Sequence, residues 1–426
     1  MAKKQSSKTI KYDPSCMDDY DPSSMDAQIA QQHILHCIHA ITDTEIVPIR
    51  DALHRVLAEE IRSTINVPSH TNSAMDGYAI RSQDIPESDQ KTFNLIGTSW
   101  AGRPFNESVN QNECVRIMTG AMMPENTDTV VMQEHVEAKD SNITINCKQK
   151  PNQNVRQAGE DIAQGSLVFQ PGKFFQPSDI GLIASLGIGQ VTVYRKPRVA
   201  FFSTGDELVS IGTELKQGQI YDSNRYTLWC MLERLGVEIN DLGVIKDTPE
   251  DIENAFKRAS EDADIIITSG GVSVGDADFV KDTLEKLGEV NFWKVAMKPG
   301  RPLAFGKVND AYFFGLPGNP VSVMVTFYIF VQAAIEKIMG HTPKPRIQIQ
   351  AISKSDLRKR PGRVEYQRGI YELNKDGQYE VTKTGQQGSG ILRSMSDANC
   401  FIYLPMESNG VSQGQTVEIW PFESFI

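Results

Sequence analysis

Residues 264–278 read DIIITSGGVSVGDAD, an apolar run that stops at paired glycines and reopens on acids. The isoleucines Ile265, Ile266 and Ile267 form a short unbroken apolar stretch, which suits a strand covered on both faces. Ser269, Gly270 and Gly271 then make a turn whose backbone can approach a ligand closely. A helix starting near Asp278 would point its positive end at the same turn.

The same order recurs outward from this stretch. From Pro197 onward, residues 199–202 read as a strand, Asp222 as the cap of a helix reaching Leu235, and Gly236 as its stop. Residues 237–245 contain the next strand. Thr248-Pro249-Glu250-Asp251 supplies a cap, a proline in the first turn and acids at the positive end of a helix reaching about Ser260. Strand, helix, strand, helix, strand predicts a parallel sheet covered on both faces, a doubly wound α/β domain. Residues 312–316 add a strand and residues 321–339 a largely buried helix. Its apolar part, 321–335, is short for a membrane span.

Further out the texture changes. Ser24 caps a helix carrying Ile34, Ile38 and Ile41, and a second short helix fits residues 51–58. Between Val67 and Gly159 short β-like runs (93–96, 115–118, 129–132, 143–145) are broken by glycine, proline and asparagine. A helix at 178–186 leads into a strand at 190–194. Beyond Lys344-Pro345, alternating runs at 347–352, 365–371, 379–384, 400–404 and 416–420 predict a small β-barrel. Residues 1–22 are a polar tail without the apolar segment of a secretory signal.

The 426 residues exceed one ordinary core, and 40% hydrophobic with 23% charged residues is the balance of a soluble globular chain of two to four domains. A formal net charge of −11 argues against nucleic acid as partner but leaves room for a small anion held by a few local donors. The six cysteines (Cys16, Cys37, Cys114, Cys147, Cys230 and Cys400) show no CxxC spacing and read as reduced thiols. No histidine spacing suits a metal, and no nucleophilic triad can be assembled. No membrane partner is expected, and the cytoplasm is the expected compartment.

Ligands of open parallel sheets bind beyond the carboxyl ends of the strands. Four polar or glycine-rich turns belong there: residues 203–207, 268–278, 298–302 and 316–322. Ser269, Gly270, Gly271 and Ser273 offer amides and hydroxyls for a phosphate or oxyanion. Asp206, Glu207, Asp247, Asp276 and Asp278 border the same edge, and carboxylates beside a phosphate imply a divalent cation such as magnesium. Helix capping is the alternative for Asp247 and Asp278 singly. Lys294, Lys298 and Arg301 would supply cations for a phosphate or another oxyanion, unless they form a solvated face. Solvation is also the ordinary reading of Lys354, Arg358, Lys359, Arg360 and Arg363, with anion capture as the minority one. The segment 72–79, with Asp76, suits a tight turn, and the loops 116–121 and 156–161 carry polar groups without a readable mechanism.

Seven blocks in order, residues 73–79, 116–121, 159–162, 203–208, 268–278, 298–302 and 316–322, resemble the MoeA family of molybdopterin molybdenumtransferases. The resemblance runs from about Ser24 to the C-terminus. It implies a multidomain α/β and β chain: a polar tail (1–22), a discontinuous linker domain (23–66 and 160–195), an inserted β-rich domain (67–159), an α/β domain of the molybdopterin-adenylyltransferase type (196–342) and a C-terminal β-barrel (343–426). It implies a homodimer that accepts adenylylated molybdopterin and molybdate, releases AMP and yields molybdenum cofactor, with the adenylyltransferase as a further partner. Glu207, Asp247, Asp278, Asp76, Lys294 and Lys298 would be catalytic, and Asp206, Glu207, Asp247 and Asp278 would hold magnesium. Thr119, Arg156, Asp161, Ser269, Gly270, Gly271, Ser273, Arg301, Pro317 and Pro320 would bind substrate. Asp76, Thr119, Arg156 and Asp161 would act from the partner subunit. Two departures stand out. Arg301 replaces a common lysine, and His70-Thr71 replaces an aromatic–acid pair, so those two positions receive no role. The rival readings are the adenylyltransferase itself, which lacks the large flanking domains, and a non-catalytic scaffold or cofactor carrier.

Overall fold

The computed structural model describes residues 24–85, 90–145, 149–271, 279–341 and 345–425. Two compact units divide the chain, Glu45–Val193 and the combination of Met1–Thr44 with Tyr194–Ile426.

The larger unit is built on a six-stranded sheet: β1 Arg198–Thr204, β2 Glu238–Ile245, β3 Ile265–Ser269, β4 Gly288–Lys294, β5 Pro302–Val308 and β6 Ala311–Leu316, in the order β2-β1-β3-β6-β5-β4. The first four in that order are parallel, as the alternation predicts. β6, β5 and β4 pair antiparallel, so the sheet is mixed. The cause is connection length. Only residues 295–301 join β4 to β5, and a parallel crossover needs about a dozen residues.

Helices α1 (Ser223–Leu235), α2 (Pro249–Ser260), α3 (Phe279–Leu287) and α4 (Pro320–Ile338) accompany the sheet. The expected caps hold. Asp222 accepts from Arg225 N, Gly236 closes α1 in the left-handed region at φ 68°, and Thr248 accepts from Asp251 N. On one face Ile252 and Phe256 of α2 and Val280 and Leu284 of α3 bury against Phe202, Ile266 and Phe313. Phe256 meets Phe202 and Phe313 edge-on at 5.2 and 5.5 Å. α1 packs on α4. α4 is long and apolar enough to cross a membrane on composition alone, yet 83% of its most apolar window is buried within the protein.

Beyond the sheet, Ile349–Ser353, Val364–Leu373, Tyr379–Lys383, Cys400–Leu404 and Thr416–Pro421 close on themselves as a five-stranded barrel. Closure leaves no free edge among those strands. The short strand Met297–Lys298 adds alongside Val364 and Glu365 of the barrel. Lys359, expected on a solvated face, is instead fully buried, its ammonium donating to the carbonyls of Arg360, Met406 and Ser408. Three carbonyls in one place give a buried ammonium the partners it needs.

The smaller unit carries a second six-stranded sheet, in which Glu113–Ile117 and Lys91–Ser99 are central. A separate core of Leu57, Phe175, Ile183 and Val193 lies beside it in sequence. The helix expected at 51–58 is absent. A 3₁₀ turn, Ile49–Asp51, stands there, and the amides of His54, Leu57 and Ala58 donate instead to Phe175 O, Lys173 O and Thr192 O. Tertiary pairing overrides local helical propensity. In the larger unit, Asp26 rather than Ser24 caps the helix Ala27–Cys37, because its carboxylate reaches Gln28 N and Ile29 N at 2.8 and 3.1 Å. Cys37 and Cys230 are exposed thiols and Cys114 and Cys400 buried ones, while Cys16 and Cys147 lie outside the described residues.

Candidate active site

β1 sits between β2 and β3, so the chain leaves it first to one side and then to the other. That reversal opens a crevice at the carboxyl edge. A cleft of about 690 Å³ lies there, lined by Thr204, Gly205 and Glu207 after β1, Asp247 after β2, Ser269, Gly270 and Gly271 after β3, and Pro317, Gly318, Asn319 and Pro320 after β6. Asp222, Ser223 and Asn224 at the start of α1 complete one wall.

The glycines of the second turn are sterically required. A Cβ on Gly270 (φ +94°) would lie 2.6 Å from Thr204 O, and one on Gly271 (φ +66°) 2.4 Å from a Val280 methyl. Gly318 is not so tightly placed, since its Cβ would be 3.9 Å from the Gly270 Cα, but Gly270 N donates to Leu316 O at 3.1 Å. The turns therefore touch as backbone, with amides and carbonyls nearest the cleft. Buried polar oxygens gather beneath: Ser203 Oγ, Asp222 Oδ2, Asn224 Oδ1 and Thr268 Oγ1 have no hydrogen-bond partner among the described residues.

Of the acids assigned to magnesium, Asp206, Glu207 and Asp247 lie at the β1–β2 corner. Asp247 N lies 3.5 Å from Asp206 Oδ1. Burial, and then the charges of Asp206 and Glu207, raise the Asp247 carboxyl above its ordinary value. Asp278 and Ser273 lie outside the described residues, as does Asp276. Among the described residues no three His, Cys, Asp or Glu side chains are close enough to hold a metal by themselves. Hard oxygen donors that repel one another nonetheless suit a magnesium ion, which keeps waters and substrate phosphate as its remaining ligands.

A second pocket of about 290 Å³ adjoins the cleft, since Pro302 and Asn319 line both. Lys298, Arg301, Ser322 and Arg363 line it, with Gly388 and Ser389 from the barrel region. Lys294 ends β4 opposite Pro302 and lines neither space. Arg363 is hard to single out from sequence because it stands in a basic cluster that looks like surface, sixty-five residues from the lysine it accompanies. Asn224 escapes it because an asparagine two residues after a capping aspartate looks like part of the cap. No local signal distinguishes either.

The remaining assigned residues belong to the smaller unit. Asp76 Oδ1 accepts from Thr119 N at 2.7 Å and from Thr119 Oγ1 at 2.8 Å. Those two bonds, in that order, hold its carboxyl below the usual range, with Arg116 adding a smaller pull. Arg156 pairs with Asn72 in a two-stranded ladder, and Asp161 N donates to Val67 O.

Three family models match the chain in succession: the MoeA N-terminal region (domains I and II) over residues 25–187, a probable molybdopterin binding domain over 200–337, and the MoeA C-terminal region (domain IV) over 350–422. The molybdopterin molybdenumtransferase of Haemophilus influenzae is 48% identical over 399 residues, spanning 93% of this chain and 98% of its own. That of Nostoc is 37% identical over 88% of each chain. The crystal structure of the molybdopterin biosynthesis moeA protein from Pyrococcus horikoshii superposes with a TM-score of 0.81 at 30% identity, over 93% of this chain and all of that one.

Proposed function

The chain belongs to the MoeA family of molybdopterin molybdenumtransferases, and from that premise we propose how its carboxyl-edge cleft performs molybdenum insertion. The protein is a transferase that inserts molybdenum into molybdopterin in the making of molybdenum cofactor. The substrate is adenylylated molybdopterin, with its phosphate bridge over the Ser269–Gly271 and Pro317–Pro320 turns. The observation that carries this reading is the convergence of Glu207, Asp247, two glycine turns and the Lys298 pocket on one edge of one sheet.

Asp206, Glu207 and Asp247, joined by Asp278, would hold magnesium. When bound, that ion neutralises the phosphate oxygens and makes the phosphoanhydride a better electrophile. Backbone amides and the Ser269 hydroxyl orient the bridge. Cleavage between its phosphorus atoms by water releases AMP and leaves molybdopterin phosphate in place. Lys298, Arg301 and Arg363 hold molybdate as an anion in the adjoining pocket, where Arg301 offers a two-pronged donor. Lys294 adds positive charge from the strand end. Molybdate exchanges oxo groups, released as water or hydroxide, for the two dithiolene sulfurs. A shared wall between the two spaces keeps the sulfurs and the oxyanion within one enclosure.

We assign Asp76, Thr119, Arg156 and Asp161 to the cleft of a second copy, so that the working unit is a homodimer, in the cytoplasm, supplied by the adenylyltransferase. Glu207→Ala is the direct test. AMP release and molybdenum insertion should fall at least about a hundredfold, with the dimer intact in light scattering. Retained insertion would refute the metal assignment, and a wild-type monomer at micromolar concentration would refute the shared cleft.

A further inference from the structure

Asn224 stands in the first turn of α1, buried to 8% exposure against the cleft, and the mechanism above does not use it. Its Nδ2 donates to Gly318 O at 2.7 Å and to Ser269 Oγ at 2.8 Å. A carbonyl oxygen only accepts, so Gly318 decides which end of the amide faces it. Turning the amide over would set Oδ1 against Gly318 O. With the amide fixed, its second N–H meets Ser269 Oγ, and the serine must accept. The serine's own proton is then left over. Among the described residues Ser269 Oγ has no acceptor, and Ser269 lines the cleft.

The arrangement leaves Asn224 Oδ1 buried and unpaired. Ser203 Oγ, at the β1 position paired with Ser269, is unpaired too. Buried polar atoms are normally satisfied, and a residue retained for packing alone would not leave one orphaned. The same side chain also ties the turn after β3 to the turn after β6, two turns already joined by the hydrogen bond from Gly270 N to Leu316 O at 3.1 Å.

We propose that Asn224 is a positioning residue for the transfer: it forces the Ser269 hydroxyl to donate into the cleft, toward the substrate's phosphate bridge, and locks the two bridge-binding turns together. This rests on the reading of the cleft given above.

The test is a double-mutant cycle in the full-length protein, with kcat/KM for AMP release from adenylylated molybdopterin as readout. Asn224→Ala and Ser269→Ala should each lower it about tenfold to a hundredfold. The double variant should lose clearly less than the two single losses combined, because the asparagine acts chiefly through the serine and only its bond to Gly318 O is independent of it. Asn224→Asp, nearly isosteric, guards against misfolding and adds a pH signature. An ionised aspartate can only accept, so it draws the Ser269 proton inward. Protonation restores one donor, and activity relative to wild type should rise as pH falls. Additive losses in the cycle, or a variant-to-wild-type ratio flat with pH, would overturn the inference. Impaired Ser269→Ala beside unimpaired Asn224→Ala would overturn it alone. Unimpaired Ser269→Ala would overturn the phosphate reading of the turn itself, and this inference with it.

Discussion

Asp247 and Asp76 are both turn carboxylates at strand ends, one in each compact unit, and their surroundings push their acidities in opposite directions. Asp247 is half-buried at the cleft, and burial followed by the charges of Asp206 and Glu207 raises its pKa. Asp76 is fully exposed, and two hydrogen bonds from Thr119 lower it. The first carboxylate is held where its charge is unwelcome, as a proposed cation ligand would be. The second is favoured in its ionised form by donors already in place, as expected of a group proposed to orient rather than ligate. By linkage, ionised Asp247 weakens the fold as pH rises through and above the ordinary carboxylate range. Asp76 instead contributes stability above its unfolded pKa that is lost as pH falls through its depressed folded value.

The largest effect that can break this contrast comes from Asp247→Asn. Magnesium affinity by titration calorimetry and insertion activity should both fall about a hundredfold. The metal-free protein should nonetheless melt no lower than wild type at pH 7, because a repulsion is removed with the charge. Below the ordinary carboxylate range, where the wild-type residue is protonated, the two melting curves should coincide. A metal-free variant that melts lower would show that Asp247 is a structural cap after all.

Asp76→Ala should do something different and smaller. Insertion should fall about tenfold, the scale of a lost charge-assisted contact, while magnesium affinity stays at the wild-type value. A drop in magnesium affinity comparable to that of Asp247→Asn would erase the distinction between a ligand and an orienting group.

Within the larger unit, what the sequence betrays depends on how local the chemistry is. The α/β half announces itself because its caps, Asp222, Thr248-Pro249 and Gly236, are local chemistry acting within one turn. The Gly270 and Gly271 turn is equally readable, since positive φ next to Thr204 admits no side chain. What stayed hidden depends on distance along the chain. The β4–β5 hairpin carries no alternation around the Lys298–Pro302 turn, so its antiparallel direction follows only from the short connection. Asp26 and Ser24 both look like caps, and geometry alone selects the aspartate. Arg363 joins Lys298 only because the strand Met297–Lys298 docks beside Val364. Asn224 is the extreme case. Its importance lies in Gly318 and Ser269, ninety-four and forty-five residues away.

The finest test of the contrast is Thr119→Val, which removes one donor to Asp76 and keeps the other. The backbone N–H of Thr119 is the larger cause of the lowered pKa and the hydroxyl the smaller, so the variant separates them without changing side-chain volume much. An NMR titration of Asp76 should move its pKa upward toward the ordinary carboxylate range yet leave it below that range. Insertion should drop only a fewfold, on the scale of one lost hydrogen bond of about 1 kcal/mol. A full return to the ordinary value would mean that the hydroxyl positions the backbone as well. The turn at Thr119 would then be held by its side chain, and Asp76 would be oriented by a single residue's rotamer rather than by the strand that precedes it.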